Sequence, residues 1–191
     1  VFVTAAVHDG PPDKMWSGGY PGGFVKPTNE HRCMLFCVDF DSGKILWQRE
    51  AHKGLPTQPR HPRNSYASET PVTDGERVYA YFGDIGVFCY DMDGKPVWQK
   101  GLDGHPTRGG WGTGISPVLH KDRLFIVNDN ENKSYMVALD KRTGQQLWRY
   151  RRRLPSGLTY GGSNIVNRGF AALGDRLYMA TLDAHLLALD R

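Results

Sequence analysis

The chain has 191 residues, 39% of them hydrophobic and 23% charged, with a formal net charge of +4. That length allows one domain with a sizeable core, and no apolar run is long enough to cross a bilayer. Much of the positive charge falls in one run, Arg149-Tyr150-Arg151-Arg152-Arg153, which reads as a solvated strand end; with no recognition motif beside it, nucleic acid is not an expected partner.

The 23 glycines and 12 prolines favour short strands joined by turns. The chain opens on "VFVTAAV" (1–7), a strand pattern with no initiator methionine or signal sequence ahead of it. The natural start is therefore expected further upstream, and targeting is not legible. Residues 11–24, "PPDKMWSGGYPGGF", form a long insertion around Trp16, the kind of segment that often carries binding function. A strand at Met34–Asp39 leads into "CVDFDSGKILW" (37–47). Cys33 and Cys37 on one strand would stand about 13 Å apart, too far to bridge. Cys37 and Cys89 each precede an aspartate by two residues, where Ala138 and Ala188 stand in later copies, so cysteine here reads as a small core residue.

Residues 68–100 give the plan of one unit: strands at Thr70–Thr73, Arg77–Phe82, Gly86–Asp91 and Lys95–Lys100, with turns at Asp74-Gly75, Gly83-Asp84 and Asp93-Gly94. "GISPVLHKDRLFIVN" (114–128), "SYMVALD" (134–140) and "GQQLWRY" (144–150) repeat it. A third copy over 163–190 lacks its fourth strand, and the first lacks its opening strand. Aspartates 39, 91, 140 and 190 are 52, 49 and 50 residues apart, and tryptophans 47, 98 and 148 are 51 and 50 apart. Four short antiparallel strands on a fifty-residue period predict the blades of an all-β propeller. The expected division is one propeller segment over 1–191: a partial blade at 1–50, full blades at 65–101 and 112–150, and a partial blade at 161–191. A ring of eight such blades needs roughly 400 residues, so the chain reads as about half of one. Strand edges at such cut ends would make the piece aggregate or pair.

The repeated residues have physical roles. Asp39, Asp91 and Asp140 can accept backbone N–H bonds at a tight turn, and Gly43, Gly94 and Gly144 can supply its positive φ. Trp47, Trp98 and Trp148 are each a wide apolar plate with one N–H, suited to lie on the neighbouring blade and bond a carbonyl there. The spacing Ala138-x-Asp140-x-x-Thr143-Gly144-x-x-x-Trp148 resembles the tryptophan-docking repeat of pyrroloquinoline quinone (PQQ) type β-propellers. The copy at Asp39 has Cys for Ala and Ser for Thr, and the copy at Asp91 is one residue shorter.

That resemblance carries functional expectations. Residues 31–150 resemble PQQ-like repeat proteins without assigned chemistry, while 147–191 resemble the early blades of quinoprotein alcohol dehydrogenases. Val166-Asn167-Arg168-Gly169 matches the V-N-R-G stretch whose arginine contacts the quinone in those enzymes, making Arg168, with Asn167 beside it, the candidate cofactor contact. The vicinal cysteine pair that precedes this stretch in the enzymes is replaced by "TYGGSN" (159–164). An inner-rim arginine paired with a carboxylate is the plain alternative. No catalytic residue and no metal site are assigned. "NDNEN" (128–132) reads as a polar loop, since it lacks the glycine and late glutamate of a calcium loop. Trp111, out of phase with the repeat, reads as a loop cover, with stacking on a planar ligand as the alternative; His52, His61 and His105 read as solvated loop histidines.

The resulting reading is a non-catalytic binding scaffold of the periplasm or outer membrane, with other blades of the parent chain and protein partners at its loop face. The alternative is part of a PQQ-dependent alcohol dehydrogenase using PQQ and calcium.

Overall fold

A computed structural model describes residues 1–11, 23–104, 107–128, 130, 133–151, 170–181 and 185–190. Among these residues, fourteen strands make four antiparallel sheets. The first holds β1 (Phe2–Val7), β2 (His31–Val38) and β3 (Ile45–Gly54); the second, β4 (Val72–Thr73), β5 (Arg77–Phe82), β6 (Gly86–Asp91) and β7 (Pro96–Gly101). The third holds β8 (Val118–His120), β9 (Arg123–Asn128), β10 (Tyr135–Asp140) and β11 (Gln146–Tyr150); the fourth, β12 (Ala171–Leu173), β13 (Arg176–Ala180) and β14 (Leu186–Asp190). Among the described residues there is no α-helix, and so none long and apolar enough to cross a membrane, which says nothing about β-barrels.

The strand pattern dictates how the sheets stack. Side chains alternate along a strand, so each central strand sends its residues to two different neighbours. Val78, Ala80 and Phe82 of β5 pack with Cys33 and Leu35 of the first sheet. Tyr79 and Tyr81, the intervening residues, pack with Leu124, Ile126 and Val137 of the third. Phe125, Val127 and Met136 then meet Leu177 and Met179 of the fourth. Middle strands buried on both faces read as unbroken apolar runs, whereas the outer strands β3, β7 and β11 alternate between half-buried and exposed. Face-to-face sheets in chain order are the blades of a propeller.

The first three blades are closed by the same cross-strand set. Trp47, Trp98 and Trp148 stand opposite Cys37, Cys89 and Ala138, small residues that leave room for an indole. A register shift follows each pairing at the same place, between Cys37 and Val38, Cys89 and Tyr90, and Ala138 and Leu139. One strand further in, Phe2, Tyr79 and Phe125 tilt against the same indoles with ring centroids 5.8–5.9 Å apart. All three cysteines are buried and free.

The indoles reach the next blade. Trp47 Nε1 donates to Met92 O (2.9 Å) and Trp98 Nε1 to Lys141 O (3.0 Å), both in the turn after the next blade's third strand. A Cβ on Gly94 would lie 2.8 Å from Trp47, and one on Gly144 2.5 Å from Trp98, so the bare glycine faces seat the rings. Trp148 Nε1 is buried without a hydrogen-bond partner among the described residues.

The aspartates organise the turns that receive those indoles. Asp140 Oδ1 accepts from Arg142 N, Thr143 N and Thr143 Oγ1 at 2.8–2.9 Å, and Gly144, at φ 72°, closes the turn by donating to Asp140 O. Asp39 uses Ser42 in the same way, and Asp91 uses the N–H groups of Asp93 and Lys95. Asp140→Ala should cost about 1 kcal/mol, because three donors lose one exposed acceptor. A urea midpoint unchanged by the substitution would show that the turn holds without it.

Candidate functional site

On the face where β3 runs into β4 and β7 into β8, the two inter-blade segments are tied to each other. His61 N and Asn64 Nδ2 both donate to Trp111 O, and the Trp111 ring meets His61 edge-on at 5.9 Å. Beneath this seam a crevice of about 270 Å³ lies between the first and second sheets, with Cys33, Arg60, Glu69, Phe82, Asp84 and Thr113 in its lining.

Glu69 is the centre of that lining. It precedes β4 by three residues, is only 2% exposed, and accepts a 2.6 Å bond from Thr113 Oγ1 at Oε1. Gly83 makes the approach possible, since a Cβ there would fall 1.7 Å from Thr113 Oγ1 and 2.9 Å from Glu69 Oε1. Burial pushes the Glu69 carboxyl up to about 7, against the lowering bond from Thr113. Asp84, in the turn between β5 and β6, accepts from Gln58 N (3.0 Å) and Thr57 Oγ1 (3.3 Å); burial raises it as well. Burial, with the two carboxyls behind it, lifts the Cys33 thiol to about 12, so this cysteine is no nucleophile.

A second polar group backs the first. Asn128, at the end of β9 and fully buried, donates to Tyr81 Oη (3.1 Å) and Gly83 O (3.3 Å), and Asn130 donates to Asn128 Oδ1. Asn128 closes the strand expected within 114–128 and brackets two blades, because the buried Tyr81 hydroxyl and Gly83 carbonyl require a partner. Asp129, Glu131 and Asn132 lie outside the described residues.

The other sequence-derived candidates divide. Trp111 is placed in the loop seam, half-buried, with its Nε1 enclosed and unbonded among the described residues. His52 is exposed, and His61 Nδ1 accepts from Arg63 N. Trp16, His105, Asn167 and Arg168 lie outside the described residues, and β12 begins three residues after Arg168. Glu69, Asp84 and Thr113 had no sequence signal of their own. The nearest hint is register: counting back eight from the strand arginines Arg77, Arg123 and Arg176 gives Glu69, Ile115 and Arg168.

Comparison with known proteins adds the family context. A family model described as outer membrane protein assembly factor BamB matches residues 34–191. Quinoprotein alcohol dehydrogenase PedH of Pseudomonas putida is 32% identical over 169 residues, 86% of this chain and 27% of the relative. A quinoprotein ethanol dehydrogenase of Pseudomonas putida is 45% identical over 96 residues, 50% of this chain and 14% of the relative. The chain thus spans about a quarter or less of the length of these curated relatives. Among solved structures, BamB from Moraxella catarrhalis superposes with a TM-score of 0.51 at 18% identity, covering 88% of this chain and 46% of that one, a likeness of fold.

Proposed function

The chain belongs to the PQQ-repeat β-propellers, the family that its match over residues 34–191 defines, and from that premise we propose that it supplies blades to a quinoprotein alcohol dehydrogenase of the periplasm or outer membrane. One observation carries this reading: sequence identity of 32% to a quinoprotein alcohol dehydrogenase runs through 86% of the chain. Val166-Asn167-Arg168-Gly169 supports it, with Arg168 gripping a carboxylate of the quinone through its planar fork and Asn167 beside it.

A bound quinone and calcium would supply the two-electron acceptor chemistry for an alcohol in such an enzyme. The described residues do not fit either group. Glu69 and Asp84 would repel a tricarboxylate, and no cluster of three or more His, Cys, Asp or Glu side chains able to hold a metal occurs among the described residues. No step of the oxidation is therefore assigned to them; what these blades supply is the rigid, indole-clamped wall on which Arg168 would be presented.

A binding scaffold is the second reading, favoured by the description of the matching family model. Reconstitution of the full-length protein with PQQ and calcium separates the two. The dehydrogenase reading expects a quinone absorbance that changes on adding alcohol, and quinone affinity at least about tenfold weaker in Arg168→Ala, as for the loss of a charge-assisted pair. Wild type and Arg168→Ala that equally fail to take up quinone would leave the scaffold standing.

A further inference from the structure

The crevice between the first and second sheets is not used by either functional reading. Its apolar lining comes from Leu55, Pro56, Phe82 and Ile85, and Glu69 and Asp84 share the same space. The donors that reach these carboxyls are neutral: Thr113 Oγ1 and the backbone N–H groups of Ser68 and Glu69 itself on Glu69, and Gln58 N and Thr57 Oγ1 on Asp84. Among the described residues no Lys, Arg or His forms an ion pair with either carboxyl. Arg60, which also lines the crevice, spends Nη1 on the carbonyls of His61, Pro62 and Asn64 and lies over the Tyr66 ring. Burial first, and the mutual repulsion of Glu69 and Asp84 with it, raises the Glu69 carboxyl. The site is short of one positive charge, and a bound cation would relieve both carboxyls together.

The shape and chemistry select the cation. Glu69 stands ahead of β4 and Asp84 in the β5–β6 turn, and both line the one crevice; a guanidinium carries several donors in a fixed planar fork and can serve two carboxyls at once, whereas an ammonium is a compact point charge. A guanidinium is also weakly hydrated, which lowers the cost of placing it among Phe82 and Ile85. A metal ion would need more oxygen or nitrogen ligands than this pair provides, and no described cluster of three or more supplies them. We propose that this crevice binds a small guanidinium compound through Glu69 and Asp84. The proposal stands whether the parent protein is a dehydrogenase or a scaffold.

Calorimetric titration of the full-length protein with propylguanidinium, and with the neutral isostere propylurea, tests it. Propylguanidinium should bind and propylurea should not, and Glu69→Gln and Asp84→Asn should each weaken binding at least about tenfold. Affinity for the wild type should rise about tenfold from pH 6 to pH 8 as a carboxyl near 7 ionises. The groups facing Glu69 are Asp84, Cys33 and Tyr81, with His31, His52 and Arg60 in the same lining. Cys33 and Tyr81, both raised by burial, stay neutral across that range, and the Glu69→Gln protein should lose the pH slope if Glu69 is its source. Equal binding of propylurea, undiminished binding in a folded Glu69→Gln or Asp84→Asn protein, or no binding of propylguanidinium at millimolar concentration would overturn the assignment.

Discussion

Trp98→Ala should destabilise the protein by about 3 kcal/mol, among the larger effects open to a single substitution here. The indole packs on the cluster that joins the second and third blades, tilts against Tyr79, and bonds Lys141 O across the boundary. Its partner surface is Gly144, and the pair should not behave additively. Gly144→Ala introduces two penalties: a methyl 2.5 Å from the Trp98 ring, and a side chain at φ 72°. Only the second is present in Gly75→Ala, where φ is 88° and a Cβ meets no atom within 4 Å. Gly75→Ala should therefore cost about 1 kcal/mol and Gly144→Ala about 2–3 kcal/mol. In a Trp98→Ala background the Gly144 penalty should shrink to the Gly75 value, a coupling of about 1–2 kcal/mol. Strictly additive unfolding energies would mean that the ring does not use the glycine as its seat.

That coupling also explains which parts of the molecule the sequence discloses. The Asp–Gly–Trp phase is visible because one physical device recurs: an aspartate-bonded turn with a glycine face on one blade receives the tryptophan of the blade before. The middle strands are equally plain, since burial on both faces leaves unbroken runs such as Val78–Phe82. The opening strands are less so. β4 pairs only at Val72 and Thr73 although the pattern begins at Thr70, because Pro71 has no N–H to give the ladder and Thr70 N is taken by Ser116 Oγ.

The crevice was illegible for a different reason. Glu69 within "SETP" has the local appearance of an exposed loop acid; its burial is made by Thr113, 44 residues later, and by the glycine turn between β5 and β6. Trp111 is similar, held by His61 and Asn64 from the preceding inter-blade segment. Periodicity reports what every blade repeats, whereas a site is made where blades differ. At the register of Glu69 the next two units carry Ile115 and Arg168. In the sequence, an acid, an alkyl group and a base thus follow one another at one repeat position.

Glu69→Gln should change the pH dependence of stability more than any other conservative substitution in the crevice. The folded carboxyl titrates near 7 rather than its ordinary 4.5. Below about pH 4.5 both folded and unfolded chains hold the proton, and the residue costs nothing. Between about 4.5 and 7 the unfolded chain has released the proton while the folded chain retains it, so stability falls as pH rises. Above 7 the penalty is complete, about 3 kcal/mol. Glutamine keeps an oxygen for Thr113 Oγ1 and carries no charge to bury, so the variant should match the wild type near pH 4 and exceed it by about 3 kcal/mol near pH 8. Denaturant titrations at the two pH values read this directly, and superimposable curves for the two proteins at pH 8 would show that the carboxyl is not paying for its burial. A bound guanidinium should erase the difference from the other side: by holding Glu69 ionised it lowers the folded-state pKa, flattening the slope in the wild type and leaving the glutamine protein unmoved.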